Sequence, residues 1–190
     1  MLEYHVQPRI LLIPGLSAIL SLPFSTSPFL SSPPKAALEP NAEKMKKILE
    51  ATEPKLFSRF LNQQEEHGFT ALMSAAALMK ESGEGCARVL LEFQANPDVI
   101  DDCGFTALHW ATVAGNDKIA KLLIDRKADV NARAGEGDGL GDTPLHRAAR
   151  MGRDVVIRVL EANGADLSAR NLEHKTPYEV TPYRTNTLTP

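Results

Sequence analysis

The sequence predicts a solenoid, a row of stacked supersecondary units, and three observations carry that expectation. A five-residue phrase recurs: GFTAL at Gly68, GFTAL at Gly104, GDTPL at Gly141 and HKTPY at His174, spaced 36, 37 and 33 residues apart. Self-similarity at such periods marks units that bury a continuous core by stacking. Each of the middle phrases is followed by aliphatic residues at helical spacing, Ile119, Leu122 and Leu123 in one unit and Val156, Val159 and Leu160 in the next. Glycines punctuate the units, Gly115 and Gly152 after the first helical stretch and Gly164 after the second, where a helix ends on a left-handed residue.

The chain of 190 residues is long enough for one domain with a core and flanking sequence. Its 43% hydrophobic and 24% charged residues match an average soluble protein. The formal net charge of -3 offers no basic surplus for phosphates, so nucleic acid is not an expected partner. Cys86 and Cys103 make no disulfide framework, and no CxxC pair or Cys/His cluster has zinc-ligand spacing, so neither metal nor cofactor is expected. Cysteines this sparse fit a reducing compartment, and the cytoplasm or the nucleus is the expected location.

Residues 1–40 differ in kind from the rest. No charged residue stands between Ile10 and Pro34, and the apolar run is broken by Pro14, Pro23, Pro28, Pro33 and Pro34. A membrane span needs about 20 mostly apolar residues in an unbroken helix, so none is expected. His5 and Arg9 make a thin basic region opposed by Glu3, and no A-x-A follows the apolar run, which argues against a signal peptide. The expectation is a disordered Pro/Ser-rich leader. Secretory or membrane targeting by residues 1–30 is the alternative.

Residues 41–67 read as two capping helices. Asn41 is placed to cap the first, with Met45, Ile48 and Leu49 forming one apolar stripe. Pro54 suits the first turn of the second, which carries Leu56, Phe57, Phe60 and Leu61. Two such helices need a neighbour to cover their apolar faces, and residues 68–180 supply it as units 68–103, 104–140, 141–173 and a partial 174–180. Residues 181–190 read as a flexible tail.

Within a unit each position has a local reason. Thr70, Thr106, Thr143 and Thr176 fall where the first helix starts, so their hydroxyls can cap it. Pro144 and Pro177 follow, where a missing N–H costs nothing, and Ala71 and Ala107 take that place earlier. Leu72, Leu108 and Leu145 are core positions. Ala75, Ala76, Ala111, Ala148 and Ala149 keep the first helix thin enough for units to approach.

The second unit, DDCGFTALHWATVAGNDKIAKLLIDRKADVNAR, and the third, DGLGDTPLHRAARMGRDVVIRVLEANGADLSAR, closely resemble ankyrin repeats. The shared features are the G-x-T-P-L-H-x-A-A opening, the central Gly, the paired aliphatics and the G-A-D-V-N-A ending. The resemblance covers residues 65 to about 180. It implies an all-α solenoid of stacked helix-turn-helix units with projecting β-hairpin loops, L-shaped in section, expected to act as a protein–protein interaction module, an adaptor or scaffold that is not an enzyme.

Departures from the pattern are equally specific. Lys127 and Gln94 stand where Gly164 stands in the third unit, which predicts strained left-handed residues at about 1 kcal/mol each. MKESGEGC reads as a linker between the helices of the first unit, three residues longer than elsewhere. Met73 replaces the motif histidine, and Ala134–Gly137 reads as a four-residue insert. The fourth unit stops after its opening.

Catalytic readings find little support. His109 and His146 suggest acid, base or metal chemistry, yet each is the H of the repeat motif, whose role in the family is a hydrogen bond tying the turn to the helix. Asp101, Asp102 and Asp138 fall at loop tips, where carboxylates are expected to be solvated. GEGDGLG at 135–141 lacks the Lys-Ser/Thr of a phosphate loop, and no small-molecule substrate is expected. Asn131, with Leu123 and Asp129 ahead of it, is similar to the pattern on which asparaginyl hydroxylases act in ankyrin repeats. The competing reading makes it the structural Asn of the hairpin.

Family members bind partners on the concave surface. Carried over position by position, that surface comprises Phe69 and Leu78 in unit one, Asp102, Phe105, Trp110 and Val113 in unit two, and Leu140, Asp142, Arg147, Arg150 and Met151 in unit three. Trp110 reads equally as contact or core. Phe69 and Phe105 are expected to lie near each other, and Arg147, Arg150 and Arg153 to make a positive region beside acidic tips. The expected species is a monomer with a protein partner. The alternative is a regulatory or substrate-recruiting segment of a larger enzyme such as a ubiquitin ligase or kinase.

Overall fold

The computed structural model describes residues 42–51, 61–78, 81–135 and 140–181. The expected leader, the Asn41 cap, the helix after Pro54 apart from Leu61, and the tail beyond Thr181 lie outside the described residues.

Seven α-helices are described: α1 (Ala42–Ala51), α2 (Ala71–Ala77), α3 (Glu81–Glu92), α4 (Ala107–Ala114), α5 (Asp117–Asp125), α6 (Pro144–Arg150) and α7 (Asp154–Ala162). No strand is described; the projecting loops close through a few backbone bonds instead. Glu65, Asp101, Ala134 and Asn171 each donate their N–H to the carbonyl of Phe69, Phe105, Asp142 and Lys175 respectively. The short helices α2, α4 and α6 pack on one another in one layer, and α3, α5 and α7 form the second layer behind them. Helix α1 closes the end of the second layer by packing on α3. The all-α solenoid expected from the sequence is the fold observed.

Local chemistry sets the helix starts. The Thr70 hydroxyl accepts the Met73 N–H at 3.3 Å, and the Thr143 hydroxyl accepts that of His146 at 3.4 Å. At Thr106 the hydroxyl instead meets the His109 ring, 3.0 Å from Nδ1. Leu72, Leu108 and Leu145 are buried, as are Ala71, Ala75, Ala76, Ala107, Ala111, Ala148 and Ala149 of the first helices. In the second helices Ile119 with Leu123, and Val156 with Leu160, are buried. Ala120 and Ile157 complete those faces, while Leu122 and Val159 remain half-buried.

The first unit corrects the expectation of a longer linker. Helix α3 begins at Glu81 and runs through Ser82–Cys86, so each second helix starts ten residues after the first and the three extra residues lengthen α3 to 12 residues, against 9 in α5 and α7. The glycines within it serve close packing rather than a turn. A Cβ on Gly83 would stand 2.6 Å from the Ala75 carbonyl oxygen, and one on Gly85 would stand 3.0 Å from Ala42 Cβ. Cys86 faces the core, where burial pushes its thiol up to about 11.

The insert is also displaced from its expected position. Ala134 is buried and makes the loop-closing bond to Asp142, and Gly135 donates to the Cys103 carbonyl at 2.8 Å. These two residues belong to the repeat frame. Glu136–Gly139, which include Asp138, lie outside the described residues.

Gln94 and Lys127 adopt φ of 67° and 69°, the conformation Gly164 holds at 88°. Both side chains are exposed, so no packing is lost with them. Lys127→Gly is expected to raise the unfolding free energy by about 1 kcal/mol. A urea titration showing no gain would refute the strain.

Candidate protein-binding surface

The first helices and the loops ahead of them form one continuous face, and its floor is aromatic. Phe69 and Trp110 lie 4.9 Å apart between ring centroids at a tilt of 49°. Trp110 then meets Phe105 edge-on at 5.6 Å, Phe105 stacks on the His109 ring at 5.4 Å, and the Arg147 guanidinium lies 4.6 Å over the Phe105 ring. Pairs of this kind each contribute about 0.5–1.5 kcal/mol beyond area burial. Phe69 and Phe105, expected to be neighbours, are joined through Trp110.

Trp110 has both readings at once. It is half-buried, and its indole N–H donates to Asp101 Oδ2 at 2.9 Å, which fixes the ring in the face. Asp101 corrects the expectation of a solvated loop acid. It is buried, and its other oxygen accepts the N–H groups of Cys103 and Phe105 at 2.9 and 2.8 Å. Asn171 performs the same service one unit pair later, accepting from Glu173 and Lys175 at 3.0 Å each. Their equivalent places in the repeat are the signal by which sequence reasoning could have found Asp101.

Two predicted contact residues are corrected to supporting ones. Phe105 is only 7% exposed, enclosed by the neighbours just named. Asp142 is completely buried: Oδ2 takes Arg150 Nε at 2.9 Å and Arg147 Nε at 3.5 Å, and Oδ1 accepts from Asn171 Nδ2 at 2.8 Å. Arg150 continues to Glu173 through Nη2 at 2.8 Å. Burial opposes the charge on Arg150, but the bonds to Glu173 and Asp142 outweigh it and hold its pKa above the usual guanidinium value. Arg153 likewise turns inward, donating to the Val113 carbonyl at 2.9 Å and lying over Gly115. The expected positive region is therefore largely neutralised from within.

The remaining predicted residues stay on the face. Asp102 is exposed and Met151 is 47% exposed. Phe69, Leu78, Val113 and Leu140 are half-buried. The Leu78 carbonyl also accepts from Asn116 Nδ2, and that of Leu140 from the Leu172 N–H, so these two positions double as joints between units.

The motif histidines are structural. His109 Nδ1 accepts the Thr106 N–H at 3.2 Å, which leaves the proton on Nε2 to be donated to the Asp142 carbonyl at 3.1 Å in the next unit. His146 repeats this with Thr143 and the Lys175 carbonyl. Met73 offers only its sulfur to the Thr70 N–H at 3.4 Å. Burial pushes His109 down to about 4 and lowers His146 as well.

Asn131 is also tied into the stack. Its Oδ1 accepts the Asp166 N–H at 2.8 Å and its Nδ2 donates to the Gly164 carbonyl at 3.2 Å. Asn62 and Asp98 do the same for the N–H groups of Asn96 and Asp129. A role shared by three positions supports the hairpin reading of Asn131.

The sequence profile described as "Ankyrin repeats (3 copies)" matches residues 35–134 and 78–171. The chain therefore belongs to the ankyrin-repeat family. It is also 37% identical over 73 residues to a protein of Lachancea kluyveri named palmitoyltransferase AKR1. That match covers 38% of this chain and only 10% of the relative's length. Among the described residues no helix is long and apolar enough to cross a membrane.

Proposed function

We propose that the chain is a non-enzymatic adaptor or scaffold that binds a partner protein on the face running from Phe69 across Trp110 to Met151. Ankyrin repeats are in general protein-interaction modules, and the observation that carries the reading here is the aromatic ladder. It anchors Phe69 and Trp110 rigidly while leaving both partly open to solvent, the arrangement by which aromatic side chains dominate interface energetics. Cys86 and Cys103, neither of which is joined in a disulfide, support a cytoplasmic or nuclear location.

The test is capture of partners from a cytosolic extract by the immobilised chain, with mass spectrometry as readout. Phe69→Ala with Trp110→Ala, and separately Met151→Ala, run alongside after a circular-dichroism check. Once a partner is in hand, each aromatic truncation is expected to weaken its binding by about 30-fold, an effect of about 2 kcal/mol. Retention of the same partners by the folded double variant would defeat the assignment.

A second reading is supported by the match to a stretch making up 10% of a transferase. In it the same face recruits substrates or regulators to a larger enzyme. The length of the natural transcript decides between the two.

A further inference from the structure

We propose that the partner presents a basic segment, Lys or Arg set among apolar residues, to the end of the face built by units one and two. This rests on the protein-binding reading above.

The charge distribution on the face is one-sided. The stretches Gln64–Met79 and Val99–Asp117, which supply the loop and first helix of these units, contain no Lys or Arg. Each brings a pair of acids, Glu65 with Glu66 and Asp101 with Asp102. Their imidazoles are His67, exposed, and His109, buried.

The acids of the second loop differ in what they have left to give. Asp101 is spent on two backbone N–H groups and the Trp110 indole. Asp102 is exposed, and its backbone N–H donates to the His67 carbonyl at 3.1 Å. Its Oδ1 would stand 2.9 Å from a Cβ on Gly68, so the carboxylate is held against the turn that leads directly into Phe69. Among the described residues no Lys or Arg pairs with it.

The basic end of the face does not compensate. Arg150 is shared between Asp142 and Glu173, Arg147 leans on Phe105 beside Asp142, and Arg153 is bonded to a carbonyl. What remains among the described residues is an aromatic floor with an acidic edge, whose one cation, Arg147, is already placed between Phe105 and Asp142. The complement is a cation on an apolar stem: the methylenes of Lys or Arg lie along Phe69 and Trp110 while the head meets the Asp102 carboxylate. An acidic segment would be repelled there. A purely apolar one would strip water from Asp102 and return no hydrogen bond. The charge also fixes which way round the segment lies.

The experiment is selection of a displayed library of random 12-residue peptides on the full chain. Enriched peptides are then titrated by fluorescence polarisation at low and high salt against wild type, Asp102→Lys, Trp110→Ala and Phe69→Ala. The last variant stands in should Trp110→Ala lose its circular dichroism. Expected are peptides rich in Lys or Arg beside apolar residues, weakened at least about tenfold by Asp102→Lys and weakened by salt. Peptides that depend on Trp110 or Phe69 but lack basic residues, or ignore Asp102→Lys, would overturn the basic-segment inference and leave the binding face standing. Peptides indifferent to all three substitutions, or no enrichment over an unrelated control, would overturn both.

Discussion

Replacing Asp142 with alanine is expected to lower the unfolding free energy by about 3 kcal/mol, the scale set by removing one member of a buried ionic network. Its carboxylate is completely buried, accepts hydrogen bonds from Arg150 on α6 and Asn171 on the following loop, and pairs ionically with Arg147. The substitution leaves the Asn171 amide and one side of each guanidinium without that acceptor, in a place water reaches poorly. Asp142→Asn keeps the shape and one acceptor oxygen, so it is expected to cost less. Urea denaturation of the three proteins decides the matter. A loss within 0.5 kcal/mol, the ordinary size of a surface substitution, would return Asp142 to the exposed contact role that the sequence suggested.

Acidification is the second large effect. His109 is held neutral by burial, with its pKa pushed down to about 4, whereas the unfolded chain takes up a proton near 6.5. Below that unfolded value the unfolded state binds the extra proton, so stability is full at pH 7 and above. It falls by about 1.4 kcal/mol per pH unit as the pH drops from about 6.5 toward about 4, a total of roughly 3 kcal/mol. His146, lowered by burial too, acts in the same direction. Hydrogen bonds from Ser168, Arg150 and Thr176 hold the carboxylates of Asp166, Glu173 and Glu179 below their ordinary range. Burial raises Glu65 and Glu161, whose protonation adds stability as the pH falls; a loss between pH 6.5 and 5 therefore belongs to the imidazoles. Denaturation midpoints that stay level across that interval would mean that neither histidine is buried neutral.

Much of the fold could be read from the sequence because its instructions are local. Thr70 and Thr143 cap helices through their own hydroxyls, and Gln94 and Lys127 betray their left-handed backbone by standing where Gly164 stands. What escaped was decided at a distance. Gly83 and Gly85 read as part of a linker, yet they sit inside α3, where a side chain on Gly83 would collide with the Ala75 carbonyl and one on Gly85 would crowd Ala42. Asp101 read as a solvated loop acid, as most carboxylates in loops are, and Asp142 as a contact residue of the surface. Their burial is set by partners 9 and 29 positions away, Trp110 and Asn171, which no pattern within a single unit announces; for Asp101 only its alignment with Asn171 across units hints at it. On the candidate surface the face itself and the positions of Phe69, Asp102, Trp110 and Met151 were legible. Which members point outward and which brace them was not.

The single departure at Met73 has a consequence for how the molecule comes apart. Imidazoles clasp unit two to three and three to four, but a thioether stands at the junction of one and two. In a stack where each unit touches only its neighbours, cooperativity is no stronger than its weakest joint. Mild acid weakens the two later joints and spares the first. Units one and two, with α1, are thereby expected to persist as a folded remnant after unit three has opened. Hydrogen exchange near pH 5 would register this as earlier loss of protection at Leu145 and Leu160 than at Leu72 and Leu90. Partner contacts centred on Phe69 and Trp110 would then outlast the rest of the solenoid.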